Sequence, residues 1–142
     1  MGLTHYWERE TELDAQAFSR AVEDIRRVVK ELPSRLAGRD GNGEPIFRAD
    51  AVLFNGEAEA AYEPFEIHQT QFDQRGRKRF FQNVKTGGRP YDTAVKVALI
   101  CFKHHLHDQL CVTSDAADAD WDDARTRCVA VLGYGNTFAL ER

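Results

Sequence analysis

The stretch FFQNVKTGGRPYDTAVKVALICFKHHLHD, residues 80–108, decides the fold of this chain. Its first six residues predict a strand, its two glycines a turn, and residues 90–107 a helix that is apolar on nearly every side. Because such a helix exposes little surface, we expect it at the centre, with the other elements around it. The stretch also holds the densest set of chemically capable side chains: Lys85, Thr86, Arg89, Tyr91, Asp92, Lys103, His104, His105, His107 and Asp108.

The N-terminal part of the chain predicts a strand followed by an amphipathic helix. Residues 3–9 are short and aromatic-rich, and a strand there places His5 and Trp7 on one face. Residues 11–32 repeat apolar side chains at helical intervals, and Asp14 is a suitable N-cap. The sequence therefore places a histidine beside a large aromatic ring, on the core face or on the wall of a site.

The remaining segments predict a mostly antiparallel sheet. Strands are predicted over residues 46–54 (one strand, or two broken near residue 50), 63–70, 80–85 and 110–114, and a last helix over 120–132. The polar residues 71–79 are typical of a hairpin tip between two of these strands, and the tail from residue 134 is expected to be loosely held. The order β-α-β-β-β-α-β-α predicts a single α+β domain with three helices.

Composition narrows the class of protein. The chain has 142 residues, 42% apolar and 30% charged, which is ordinary for one globular domain. A net charge of −4 argues against nucleic acid as a partner. The three cysteines lie in apolar runs, which predicts free thiols in a reducing compartment. There is neither a signal-peptide pattern nor an apolar run of membrane-spanning length, so we expect a cytoplasmic protein without a membrane partner.

Several short signatures occur together in a characteristic order. They are Thr4-His5-Tyr6-Trp7, Phe54-Asn55-Gly56, Lys85-Thr86, Pro90-Tyr91-Asp92, Lys103-His104-His105, Ser114-Asp115 and Asp120-Trp121. In this pattern the chain resembles a family of small uncharacterised bacterial and phage proteins, over nearly its whole length. The resemblance implies no activity, ligand or cofactor. It suggests only that the polar residues of these signatures belong together.

The turn at residues 85–90 is a candidate anion site. A glycine turn before a helix leaves backbone amides free, and the helix N-terminus adds partial positive charge. Lys85 and Arg89 supply two further charges, so the combination suits a phosphate or carboxylate. The segment matches neither a Walker A loop nor a dinucleotide fingerprint. The alternative is an ordinary tight turn with solvated cations.

The histidines near residue 105 allow two interpretations. His104, His107 and Asp108 share a helix face and could coordinate a divalent metal, but no H-E-x-x-H motif is present. The alternative is that these cations only complement the negative end of the helix dipole. We therefore predict no metal, with these three residues as weak candidates. His105 faces inward, as a structural histidine or as a general base.

Three other patterns are weaker. His68-Gln69-Thr70 has the H-x-T form of two-histidine phosphoesterases, but the chain has no second copy. The basic residues 75–79 beside phenylalanines could hold single-stranded nucleic acid or face an acidic partner protein. The aspartates of residues 115–123 lack the EF-hand order, and negative charge at a helix N-terminus is stabilising by itself.

The first hypothesis for function is a small binding or interaction module. Its site beside the central helix would hold an anionic, nucleotide-type small molecule or an acidic protein segment, without a cofactor. The predicted contacts are Lys85, Arg89, Tyr91, His105 and His5. The second hypothesis is a small hydrolase or transferase with a histidine acid/base and Lys/Arg charge stabilisation. The third is a bacterial or phage accessory protein that acts only by covering a partner's surface.

Overall fold

The computed structural model describes residues 3–141, which form three α-helices and two antiparallel sheets. The predicted α+β class is confirmed, although the described residues contain seven strands where five were predicted. The helices are α1 (Ala15–Val29), α2 (Asp92–Leu106) and α3 (Asp122–Leu132). The strands are β1 (Thr4–Glu10), β2 (Leu36–Ala37), β3 (Ile46–Arg48), β4 (Ala51–Gly56), β5 (Phe65–His68), β6 (Arg79–Lys85) and β7 (Leu110–Ser114). Within residues 3–141, no helix is both long enough and apolar enough to cross a membrane.

The first sheet has β1 at its centre, with β6 and β7 on its two sides. Side chains of β1 alternate between buried and half-buried, so one face lies against the core. His5 and Trp7 occupy the buried face, as predicted from their spacing. In the register of the sheet, His5 lies opposite Val84 of β6 and Ser114 of β7. The register thus fixes which side chains surround His5.

The second sheet is built around β4, which pairs with β2, β3 and β5. The short β2 was not predicted. The predicted hairpin between β5 and β6 is wrong, because β5 pairs with β4 while β6 pairs with β1. The intervening loop instead crosses from one sheet to the other, and the Leu13 amide donates to Gln69 O at 2.9 Å. The polarity of this loop predicted a turn, but not which sheet each flanking strand would join.

The buried side chain of Arg9 connects β1 of the first sheet to the end of β5 in the second. It is fully buried, and its guanidinium donates to the carbonyls of His68 at 2.6 Å and Gln69 at 3.2 Å. Burial lowers the pKa of Arg9 to about 10. Removing the guanidinium would take from His68 O its bond to Arg9, whereas Gln69 O would keep the hydrogen bond from the Leu13 amide.

Helix α2 is the central element, as predicted. Most of its side chains are buried, and α1 and α3 both pack against it. The Phe18 ring of α1 lies 4.8 Å from the Phe102 ring of α2, centroid to centroid. The turn before α2 reverses the chain through Gly87 and Gly88, which have φ angles of 63° and 72°. This turn brings the end of β6 and the beginning of α2 beside His5.

The C-terminal segment packs on the body of the domain. Helix α3 ends at Gly133 in a left-handed conformation, as predicted. Residues 134–141, expected to be loosely held, make specific contacts: the Phe138 ring stacks on Trp121 at 5.2 Å, and the Glu141 amide donates to Val112 O at 2.8 Å. Aromatic packing and backbone bonding to β7 are tertiary contacts that the composition of the tail does not reveal.

Candidate functional site

A buried polar cluster lies where α2 begins. His5 comes from β1, Ser114 from the end of β7, Thr86 from the turn after β6, and Asp92 from the first turn of α2. Strand pairing brings His5 and Ser114 side by side, and the glycine turn folds Thr86 and Asp92 onto them. Four separate segments therefore supply one continuous set of hydrogen bonds.

The histidine is held at both ring nitrogens. His5 Nε2 lies 2.7 Å from Asp92 Oδ1, and His5 Nδ1 lies 2.7 Å from Ser114 Oγ. The Thr86 hydroxyl donates to the same Asp92 Oδ1, and the Lys96 ammonium lies 2.9 Å from Asp92 Oδ2. The result is a chain of serine, histidine and aspartate with a threonine and a lysine on the carboxylate.

The ionisation of Asp92 fixes the directions of these hydrogen bonds. Burial by itself raises the pKa of this carboxyl, but hydrogen bonds led by those from His5 and Thr86 outweigh it and lower the pKa to about 2. An ionised carboxylate only accepts hydrogen bonds, so the hydrogen between His5 and Asp92 belongs to His5 Nε2. In the neutral ring, Nδ1 then carries no hydrogen and accepts one from the Ser114 hydroxyl. This is the arrangement that a general base requires.

Burial is uneven across the cluster. His5 and Thr86 are fully buried and Asp92 is 6% exposed, whereas Ser114 is only half-buried. The Trp121 ring packs edge-on against the His5 ring, with centroids 5.1 Å apart. A molecule from solvent would therefore meet the serine first, with the histidine and aspartate behind it.

Two further groups complete the surroundings. Lys96 is 9% exposed, and its ammonium also donates to Asp120 O at 3.0 Å. Trp121 is fully buried, and within residues 3–141 its Nε1–H has no hydrogen-bond partner. Buried charges and unused donors cost free energy unless they are compensated, and such clusters concentrate at functional sites.

The structure places three of the predicted contact residues near the turn, but two of them are bonded to backbone carbonyls. Arg89 donates to the carbonyls of Glu59 at 3.0 Å and Ala61 at 2.7 Å, and its guanidinium lies over the Tyr62 ring. Tyr91 is fully buried, with its hydroxyl bonded to a backbone carbonyl, and burial raises the pKa of that hydroxyl. Lys85 is half-buried, and within the described residues its ammonium has no salt-bridge partner. Anion binding by these residues stays a prediction.

His105 lies at the opposite end of α2 from His5, roughly 20 Å away along a helix of this length. Its Nε2 is 2.7 Å from Asp24 Oδ2. The structure therefore does not bring His105 together with Lys85, Arg89 or His5.

The weak metal candidates also lie at this end. His104 stacks on the Tyr134 ring at 3.6 Å, and His107 and Asp108 begin the short 3₁₀ helix His107–Gln109. In the part of the chain that the structure describes, no group of three potential ligands is arranged to hold a metal ion.

The sequence pointed to part of the cluster only. His5 was predicted as a site residue, and Thr86 and Asp92 lie in the stretch singled out for its chemistry, but Ser114 and Lys96 were not proposed. Ser114 lies 109 positions from His5, and only the register between β1 and β7 reveals their contact. Four polar residues of the quoted signatures meet here, whereas His105 of another signature lies at the opposite end of α2.

Comparison of the chain with protein-family models, curated proteins and solved structures gave no match. The resemblance to a bacterial and phage family therefore stays a prediction. The site is interpreted from its own geometry, because no relative supplies a function to transfer.

Proposed function

We propose that this chain is a small hydrolase that acts by acyl transfer, with Ser114 as nucleophile and His5 as general base. The observation that carries the proposal is the hydrogen-bonded chain Ser114 Oγ–His5–Asp92, with 2.7 Å at each contact. A nucleophile bonded to a base, and a base bonded to an orienting carboxylate, is the geometry that defines catalytic triads on unrelated folds. In the usual triad, Nε2 faces the serine and Nδ1 faces the carboxylate, whereas here Nδ1 faces Ser114 and Nε2 faces Asp92. The proton still passes from the serine hydroxyl to the ring.

The chemistry follows from these contacts. Ser114 Oγ attacks the carbonyl carbon of an ester or related acyl substrate, and its proton passes to His5 Nδ1. The leaving alcohol takes that proton when the carbonyl–oxygen bond breaks, so an acyl-serine forms. Water then attacks the acyl group and gives a proton to His5 Nδ1. The bond between the acyl carbon and Ser114 Oγ breaks, His5 returns the proton to Oγ, and the acid leaves. Asp92 stays ionised and stabilises the imidazolium in each half-reaction.

The meeting of a histidine and a cation at one carboxylate favours an enzyme over a simple binding module. An acid/base and a cation must share one point in an enzyme site, whereas binding needs only complementary charge and shape. His5 and Lys96 share the Asp92 carboxylate, at 2.7 Å and 2.9 Å. Arg89, which the binding hypothesis needs free, is instead bonded to two backbone carbonyls. Lys96 compensates the charge of the carboxylate that orients His5.

The experiment is hydrolysis of p-nitrophenyl acetate, followed by mass spectrometry of the acylated protein. We expect a burst of p-nitrophenol and a single acetyl group on Ser114. Ser114→Ala should abolish both, and Ser34→Ala, which changes another half-buried serine, should keep both. Acetylation spread over lysines, or equal rates in the wild type and Ser114→Ala, would refute the proposal.

A further inference from the structure

A basic groove lies between the second half of α1 and the segment of residues 34–47. Its volume is about 690 Å³, and it shares no residue with the His5 cluster. Four cationic side chains line it: Arg26, Arg27, Lys30 and Arg35. Apolar side chains also line it, from Val29, Leu32, Leu36 and Phe47. The groove therefore offers both charge and an apolar surface.

The groove opposes the overall charge of the protein. Its lining includes only two carboxylates, Glu23 and Glu44, against the four cations, an excess of two positive charges. The whole chain has a net charge of −4. A local positive region on an acidic protein attracts anionic partners and repels cationic ones.

These cations are free to bind a partner. Among residues 3–141, Arg26, Arg27 and Lys30 have no carboxylate within salt-bridge distance, and the two arginines reach only backbone carbonyls at 3.5 Å and 3.2 Å. Arg35 lies 3.3 Å from Glu57, but their side chains are 81% and 50% exposed. An exposed pair of this kind is weak and readily exchanged for another carboxylate.

We infer that the groove binds an acidic, partly apolar segment of a partner protein. Carboxylates of such a segment would meet the four cations while its apolar side chains cover Leu36 and Phe47. A second cleft of about 350 Å³ shares Leu32 and Ser34 with the groove and leads to Arg127. Together the two clefts suit an extended segment of several residues. This inference is independent of the hydrolase proposal.

The test is fluorescence anisotropy with a fluorescein-labelled twelve-residue peptide of alternating glutamate and leucine. We expect Lys30→Glu to weaken binding about fivefold at low salt, since it reverses an exposed charge beside the ligand. The matched control is Arg20→Glu, an exposed arginine on the same helix that does not line the groove, and it should leave binding nearly unchanged. Replacing the leucines of the peptide by serine should also weaken binding.

Five results would overturn the inference. The wild type does not bind the peptide, or both variants weaken it equally, which would reflect net charge alone. The serine peptide binds as well as the leucine peptide, so the apolar lining plays no part. A single-stranded oligonucleotide binds more tightly than the peptide and loses affinity in Lys30→Glu. Light scattering shows self-association that Lys30→Glu removes, so that a second copy of the chain fills the groove.

Discussion

Both ends of α2 hold a histidine paired with an aspartate, yet the two pairs differ in what else they contact. His5 Nε2 lies 2.7 Å from Asp92 at the beginning of the helix, and His105 Nε2 lies 2.7 Å from Asp24 at its end. The second ring nitrogen of His5 meets a serine hydroxyl at 2.7 Å. At the other end, the hydroxyl of Tyr134 donates to the aspartate at 2.6 Å.

The difference teaches that a histidine–aspartate contact does not by itself define a site. In the first pair, the aspartate orients the ring, and the second ring nitrogen contacts the hydroxyl of Ser114, the proposed nucleophile. In the second pair, the carboxylate binds a tyrosine, and burial raises the pKa of the Tyr134 hydroxyl, which keeps it protonated as a donor. That arrangement ties α1, α2 and the C-terminal tail together. Serine reactivity is therefore expected at the first end only, and both pairs are expected to contribute to stability.

The largest expected effect is on stability when Asp92 is changed. Asp92→Asn leaves the buried Lys96 without its counter-charge, so we expect a loss of about 3 kcal/mol in the free energy of unfolding. Asp24→Asn is the matched change at the other end, where the carboxylate is 18% exposed, and should cost about 1 kcal/mol. Urea unfolding at neutral pH measures both. Equal losses would mean that the contact of Asp92 with the buried Lys96 adds no stability beyond that of the Asp24 pair.

The second expected effect is a loss of folding stability at low pH. The folded protein lowers the pKa of Asp92 from 3.8 to about 2, so the stabilisation is complete above pH 4 and is lost as pH falls toward 2. The linked free energy is roughly 2 kcal/mol. The stability advantage of the wild type over Asp92→Asn should therefore shrink by that amount between pH 5 and pH 2, measured by urea unfolding at each pH. An advantage that stays constant over this range would contradict the ionised state of Asp92.

The smallest effect separates the two cations of the predicted anion site. Arg89→Ala removes two hydrogen bonds to backbone carbonyls and should cost about 1 kcal/mol, without changing the reactivity of Ser114. Lys85→Ala is the control in the same turn and should change stability by less than about 0.5 kcal/mol. Thermal unfolding measures both variants. If Arg89→Ala kept full stability but lost affinity for an anion such as phosphate, the binding-module hypothesis would be favoured.

The sequence predicted elements more successfully than their pairing. The all-round apolarity of residues 94–102 correctly predicted a central helix, and alternation along β1 correctly placed His5 on the buried face. These are local patterns with a fixed period. The membership of β5 and β6 in different sheets depends on contacts that no local pattern records, which is why the hairpin prediction was wrong.

The same reasoning explains what could be predicted of the site. The turn and helix start around Thr86 and Asp92 are local, so their residues were recognised as one group. Ser114 joins them only through the register of β7 on β1. Arg89 was predicted as a free cation because nothing in its neighbours reveals that it reaches the carbonyls of Glu59 and Ala61. Residue type and local spacing thus identified the candidates, and tertiary pairing assigned their partners.

The most direct test of the central claim is covalent labelling by a fluorophosphonate probe, mapped by peptide mass spectrometry. The account predicts one label per chain, on Ser114, with a labelling rate that falls more than about a hundredfold in His5→Gln and stays unchanged in His105→Gln. Circular dichroism of both variants separates a loss of reactivity from a loss of fold. Failure of the wild type to react, or equal sensitivity to the two histidines, would mean that the Ser114–His5–Asp92 chain is structural.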